Sequence, residues 1–357
     1  MDARARRGRP RHPRLDLAGL TILVVNAGST SLKLSVVSDD GSTESVDSLV
    51  SAPHDVVAVA HRIVHGGERF RDAVVVDDAV ERELAALIEL APLHNRPALD
   101  ALADARRLFP DVQHVAVFDT AFHATILTEA ATYAVPQTWR DEWGIRRFGF
   151  HGLSVEWSAR RVRVPRLVVC HLGGGCSVSA VLDGRSVDTT MGFSPLEGIP
   201  MATRSGSIDP EIVLHLLRTK RLGLVEIERK LESESGLLGI SGESSRVEEL
   251  ERSGSEAAEL ALAVFAHRIA GAVAAMASTL DGVDAIVFTG GTGERSSRVR
   301  ADVCSRLRFL GCVLDEPANE SAVPDAVVST AEARVTVHVI CAREDVVAAD
   351  AARRLLS

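Results

Sequence analysis

Lysine is nearly missing from this sequence. Three lysines stand against 37 arginines, and asparagine is equally scarce at three. Neither is a default polar residue here, so Asn26 and Lys33 stand out. No Gly-Lys pair occurs anywhere, which excludes a G-x-x-x-x-G-K-[ST] phosphate loop. The five cysteines, Cys170, Cys176, Cys304, Cys312 and Cys341, include no C-x-x-C pair. They read as reduced, mostly buried thiols of a reducing compartment. Basic excess is also lacking: the net charge of -9 argues against general nucleic-acid binding, which needs a basic face. No apolar run reaches the ~18 residues that span a bilayer, so no membrane partner is expected. Residues 1–14 are rich in arginine and proline without an apolar core, unlike a secretory signal. Residues 1–18 read as a disordered basic tail.

What is present is a globular chain. Its 357 residues suffice for two domains of roughly 150 residues each. An apolar fraction of 46% with 25% charged residues excludes a disordered class. Residues 20–26 form an apolar, β-rich run, and residues 31–37 alternate with Leu32, Leu34 and Val36 on one face, which predicts a hairpin with a polar tip. A similar unit follows later: a strand over 166–171, a turn at Gly173–Gly175, a strand over 177–182, and an Asp183-Gly184 turn into a third strand ending at Thr189. The recurrence predicts a duplicated architecture.

Residues 285–288 read as a buried strand, Gly290–Gly293 as a loop, and Ser296 as the start of a helix. A long Ala-rich helix is expected over 255–280, opened by Ser255 and stopped at Asp281-Gly282. A short one is expected over 345–356. Residues 81–107 look helical, interrupted at Pro92 and Pro97. Strands and helices alternate through both halves, an α/β pattern.

The glycine stretch 173–175 lies between two strands, so it is a poor match to the dinucleotide fingerprint G-x-G-x-x-G, which opens a helix. What remains are glycine and serine turns whose backbone N–H groups can face phosphate oxygens. Each alone is more often an ordinary turn; three polar loops in one chain favour a nucleotide cleft.

Nine stretches then fall in a recognisable order: NAGSTSLK (26–33), HRIVHGG (61–67), APLHN (91–95), FDTAFH (118–123), FGFHG (148–152), DTTMGFSPLEG (188–198), TRSG (203–206), SGLLGISG (235–242) and FTGGTGE (288–294). Together they resemble the acetate kinase family, within the sugar kinase, actin and Hsp70-type superfamily. The resemblance covers about residues 20–350. It implies a two-domain, duplicated actin-like (ribonuclease H-like) α/β fold, with mixed sheets flanked by helices. The first domain would comprise residues 19–121 plus 345–357 and the second 122–344. The segment between Lys33 and Arg62 is shorter than the family's usual one, which implies a trimmed periphery of the first domain.

The implied reaction is reversible transfer of phosphate from ATP to acetate, with Mg²⁺ (or Mn²⁺), in a cytoplasmic homodimer. Such chemistry asks chiefly for charge neutralisation and alignment. By resemblance, Arg62 binds the carboxylate, and Arg204 stabilises the transferring group, a role worth ~10³–10⁵ in rate. His151 donates to the transition state. Asp119 corresponds to the family's essential acid; acetate is already ionised, so organising the arginines or a metal-bound water suits it better than general-base work. Asn26 and Glu344 match the magnesium positions. Val64, Leu93, Phe150 and Pro195 fall where the acyl pocket is built. Lys33, Ser29 and Ser31 match the first nucleotide-contacting stretch. His171, Leu172, Gly173, Gly174 and Gly175 match the phosphate loop. Arg246, Val247 and Glu248 match the adenosine side, and Gly291, Thr292, Gly293, Glu294 and Arg295 the second loop.

Three departures cluster at the donor side. Gly174 stands where the family has Asn, Val155 replaces a second His, and Arg246 with Glu248 inverts an Asp/Arg pair. They raise other donors, including GTP and pyrophosphate, beside ATP. Propionate or butyrate is the alternative acceptor, and a non-catalytic nucleotide-binding regulator the alternative class.

Overall fold

A computed structural model describes residues 21–27 and 32–357, with residues 92–94 described by backbone only. The tail expected over residues 1–18, and the positions Ser29 and Ser31, lie outside the described residues.

The first sheet contains β1 (Ile22–Ala27), β2 (Leu32–Val37), β3 (Thr43–Val46), β4 (Ala58–Ile63), β5 (Val74–Val75) and β6 (Gln113–Phe118), in the order β3-β2-β1-β4-β6-β5. The hairpin β1–β2 is antiparallel, with Asn26 opposite Lys33, while β4 and β6 add parallel to β1. The second sheet contains β7 (Arg166–Leu172), β8 (Cys176–Leu182), β9 (Arg185–Thr189), β10 (Ala285–Thr289), β11 (Ala326–Val327) and β12 (Thr336–Val339), in the order β11-β12-β10-β7-β8-β9. Here too a three-stranded meander is extended by parallel strands, β10 and then β12, and closed by a short antiparallel edge. The two sheets thus repeat one topology, the duplicated actin-like arrangement with helices on the faces.

The alternation of β1 shows why both faces must be covered. Leu23 and Val25 pack with Leu102 and Ala105 of the helix Pro92–Leu108. Ile22 and Val24 pack with Val347 and Ala348 of the C-terminal helix Glu344–Leu356. In the second sheet Val168 and Cys170 meet the long helix Glu256–Thr279, opened by Ser255, whose hydroxyl accepts the Ala258 N–H. By length and composition that helix could cross a membrane, with a mean hydropathy of 1.8; half of its apolar window is buried, and it packs on β7 and β8 as a core helix. The helix Gly152–Arg161 touches both β7 and the C-terminal helix, so it lies between the two layers.

Two local expectations are corrected. The helix Pro92–Leu108 begins at Pro92 but runs through Pro97. A proline this near the start removes only one backbone bond, and burial of Ala98, Leu102 and Ala105 holds the helix together. Gly290–Gly293 is not a loop but the start of a short helix, Gly290–Arg295. Glu294 folds back to accept the Gly290 N–H at 3.1 Å, satisfying an amide at the helix start. The turns were legible: Asp183 and Gly184 both have positive φ, 47° and 77°, as a tight hairpin requires. All five cysteines are free and four are buried.

Candidate active site

Arg62, at the C-terminal end of β4, is the hub. Its Nε donates to Asp119 Oδ1 at 2.8 Å and its Nη2 to Asp119 Oδ2 at 2.6 Å. Its Nη1 donates to Asn26 Oδ1 at 3.0 Å and lies 3.2 Å from Glu344 Oε2. Three neighbouring elements deliver these groups: Asn26 ends β1 beside Arg62 in parallel register, Asp119 follows β6, and Glu344 opens the C-terminal helix. Burial works against the Arg62 charge, but Asp119 and Glu344 more than compensate and hold its pKa above the ordinary arginine value. Burial likewise pushes Asp119 up, opposed by Arg62 and by the His151 backbone N–H. Burial would raise Glu344 too; Arg62, His171 and Lys33 reverse that and keep it below the usual carboxylate range.

Asp119 also sets His151. Its carbonyl accepts the Gly152 N–H at 2.9 Å, and a Cβ at Gly152 would lie 2.2 Å from that oxygen, so only glycine permits the approach. His151 itself is left-handed, with φ 59°, a region that histidine tolerates better than most residues. His123, buried, bridges Ser186 Oγ at 2.7 Å and the Phe150 carbonyl at 2.9 Å, bracing the same turn. The His151 ring lies 4.2 Å from that of His171. Burial, then His171, Arg62 and Arg204, depress its pKa well below the ordinary histidine value, so it is a neutral donor–acceptor.

Gly175 marks where His151 and Arg204 meet. A Cβ built there would lie 3.1 Å from His151 Nε2 and 3.3 Å from Arg204 Nη1. The absence of a side chain leaves a space bounded by an imidazole and a guanidinium. Arg204 is held by Glu232, with Nε 3.2 Å from Oε2, and reaches the Pro195 carbonyl at 3.4 Å. Val64, Phe150 and Pro195 are buried at this end. Leu93 lies on the first turn of its helix, and only its backbone is described. Asn95, two residues on, takes the His65 N–H and donates to the His65 carbonyl, both at 3.1 Å, fixing the loop after Val64.

From this end a cleft of about 1010 Å³ opens between the two sheets. Asn26, Lys33 and Glu344 line one side; His171, Gly173 and Gly174 line the other. Arg246, Val247 and Glu248, with Gly291, Thr292, Glu294 and Arg295, line the far end. Gly174 has no atom within 4 Å of a virtual Cβ, so the cleft there is open. Glu248 is shared by Arg246 at 3.2 Å and Arg295 at 2.7 Å, so the inverted pair does form an ion pair.

The Leu172 side chain is fully buried in the second core, and Gly293 packs beneath Phe288. Leu172 ends β7 and Gly293 lies within the helix Gly290–Arg295, and the strand and helix periods turn these two inward. Val155, likewise fully buried, packs with Leu167 and Val169. Sequence reasoning missed Glu232, Ser154 and Ser177. An acid on a polar helix and serines inside apolar strands or helices carry no distinguishing local signal.

Two oxygen donors, Asn26 Oδ1 and the ionised Glu344 carboxylate, face the cleft beside Lys33. This donor set fits a hard divalent cation that retains waters. Among the described residues no cluster of three His, Cys, Asp or Glu exists to hold a softer metal.

The Acetokinase family model matches residues 47–350. An acetate kinase from Nostoc punctiforme is 43% identical over 317 residues, covering 86% of this chain and 77% of that one. The crystal structure of a propionate kinase from Francisella tularensis superposes with a TM-score of 0.87 at 32% identity, covering 93% of this chain and 98% of that one. That of Porphyromonas gingivalis acetate kinase does so with 0.84 at 30% identity, covering 95% and 100%. A carboxylate-phosphorylating fold and a convergent pair of arginines with a histidine thus occur in one chain, and the chain belongs to the acetokinase family.

Proposed function

We propose that this chain catalyses reversible phosphoryl transfer between ATP and acetate, giving acetyl phosphate and ADP. The observation that carries the reading is the convergence of Arg204 and His151 on the space at Gly175, with Arg62 anchored on Asp119 close by. Both reactants are anions, so a pocket with two fixed guanidinium groups lowers the repulsion between them. Arg62 binds the carboxylate, and Asp119 holds Arg62 in place. Val64, Phe150 and Pro195 enclose the acyl methyl. Arg204 and His151 stabilise the oxygens of the migrating group. Lys33 and the Gly173–Gly175 turn receive the donor phosphates, and the Arg246–Glu248 and Gly291–Arg295 segments receive the nucleoside.

Mg²⁺ is the natural cofactor for the Asn26 and Glu344 oxygens; when bound it neutralises donor phosphate charge. The chain works as two domains, 19–121 with 345–357 and 122–344, closing over the cleft to exclude water. It acts as a cytoplasmic homodimer.

A second reading concerns the donor. The Arg246–Glu248–Arg295 cluster leaves two guanidinium groups at the nucleoside end, which favours relaxed discrimination among ATP, GTP and pyrophosphate. Propionate is the alternative acceptor, favoured by the likeness to the Francisella propionate kinase. An acyl-hydroxamate assay crossing acetate, propionate and butyrate with the three donors decides. Acetyl hydroxamate with MgATP is expected; no acyl product in any combination overturns the assignment.

A further inference from the structure

His151 and His171 are joined by a cross-brace of two serines. His151 immediately precedes the helix Gly152–Arg161, and its Nδ1 lies 3.0 Å from Ser177 Oγ on β8. Ser177 is the register partner of His171 across the β7–β8 hairpin. His171 Nδ1 in turn lies 2.8 Å from Ser154 Oγ, on the helix that His151 begins. His151 is therefore tied to the hairpin that carries His171, and His171 to the helix that His151 precedes. Both serines are fully buried, so no bulk water competes for these hydroxyls.

The opposite edges of the two rings face one turn. A Cβ at Gly173 would lie 3.5 Å from His171 Nε2, and one at Gly175 would lie 3.1 Å from His151 Nε2. The turn between them is the one to which the proposed reaction assigns the phosphates, whose oxygens accept hydrogen bonds and do not donate them. A neutral imidazole carries a single N–H, so the proton must sit on Nε2 for either ring to serve such oxygens.

We infer that Ser177 and Ser154 are positioning residues that donate their hydroxyl hydrogens to Nδ1 of His151 and His171, holding both rings as Nε2–H tautomers aimed at the Gly173–Gly175 turn. This rests on the proposed phosphoryl transfer for its purpose, though not for its geometry. The rings stay uncharged, so two directional donors join Arg204 without adding a further cation beside Arg62. A serine hydroxyl is suited to the task because it rotates to donate and cannot itself bring charge. The hairpin register makes the arrangement rigid, because a slip of one residue would turn Ser177 to the other face.

Nitrogen-15 NMR of the full-length protein, labelled at histidine, tests this directly. The expected result is that His151 and His171 both show unprotonated Nδ1 and protonated Nε2 at neutral pH. Ser177→Ala should release His151 to a mixture of tautomers and Ser154→Ala should do so for His171. Ser177→Ala should also lower kcat about tenfold to hundredfold, the loss typical when a partner that orients a functional histidine is removed, with KM for both substrates unchanged. Ser177→Thr, which keeps the hydroxyl, should recover much of that loss. A proton on Nδ1 in the unmodified protein overturns the inference, as does a Ser177→Ala protein with unaltered tautomer and kcat. If the unmodified protein transfers no phosphate to any carboxylate, the reaction assignment fails instead, and the NMR result still decides the tautomers.

Discussion

Asp119 grips Arg62 side-on, with both carboxylate oxygens engaged at 2.8 Å and 2.6 Å, while its own carbonyl accepts the Gly152 N–H beside His151. One residue therefore fixes both the cation proposed to bind the carboxylate and the backbone that aims the imidazole. An acid in that place has a positioning task even where the proposed acceptor needs no deprotonation.

Removing that carboxylate charge leaves a largely buried guanidinium uncompensated on one side. Asp119→Asn should lower stability by about 3 kcal/mol, within the range for breaking a buried pair. Urea unfolding checks it; an unchanged midpoint would show that Asn26 and Glu344 suffice to hold Arg62.

Arg204 is held by Glu232 at one edge and is mostly buried. Arg204→Ala should reduce kcat by ~10³ or more, the scale of an arginine that stabilises a transferring phosphoryl group. Thermal unfolding should barely move, because burial already raises the Glu232 pKa and eases its protonation once the arginine is gone. Retained turnover would move the reaction centre elsewhere.

The acyl end should respond to volume. Val64→Ala enlarges the buried wall beside Phe150, and one methylene of fit is worth ~1–3 kcal/mol. The ratio of kcat/KM for propionate over acetate should therefore rise about tenfold or more. An unchanged ratio would place the acyl group away from Val64.

Buried histidines make stability sensitive to acid. Burial lowers His123 to about 4, from an ordinary value of 6.5. Between these values the unfolded chain takes up a proton that the folded chain refuses, so stability falls as pH drops from 6.5 to about 4 and the loss from His123 stops below that. The full effect is of order 3 kcal/mol. Denaturant unfolding at pH 7, 5.5 and 4 should show the decline, and His123→Gln should flatten part of it.

Arg300 is buried, and it donates to the Gly293 and Glu294 carbonyls and to Asn319. Arg300→Leu should orphan those carbonyls and loosen the Gly290–Arg295 segment, raising KM for the nucleotide while KM for acetate holds. Steady-state kinetics with each substrate varied separates the two, and equal rises in both would indicate general unfolding.

Scarcity proved a usable signal. All three asparagines hold backbone or guanidinium groups: Asn26 meets Arg62, Asn95 clamps His65, and Asn319 engages Arg300. Lys33 lines the cleft and draws the Glu344 pKa down. Turn chemistry was equally readable, since Gly173–Gly175 and Asp183-Gly184 each close the hairpin expected of them. The misreadings were of another kind. Pro97 was overruled by core packing, and Gly290 by the Glu294 side chain that caps it.

Local chemistry is written in neighbouring residues, so strand alternation, helix caps, tight turns and the ordered family motifs were determined by the sequence alone. Convergence is not local. Asn26 and Glu344 stand 318 residues apart in the chain, and they meet because the C-terminal helix returns to cover the face of β1. The partners Glu232, Ser154 and Ser177 were decided only by tertiary structure, because no short-range pattern distinguishes a surface acid or a core serine from one that holds a functional arginine or histidine. Burial of two opposite sheet faces and the register of one hairpin brought them into place.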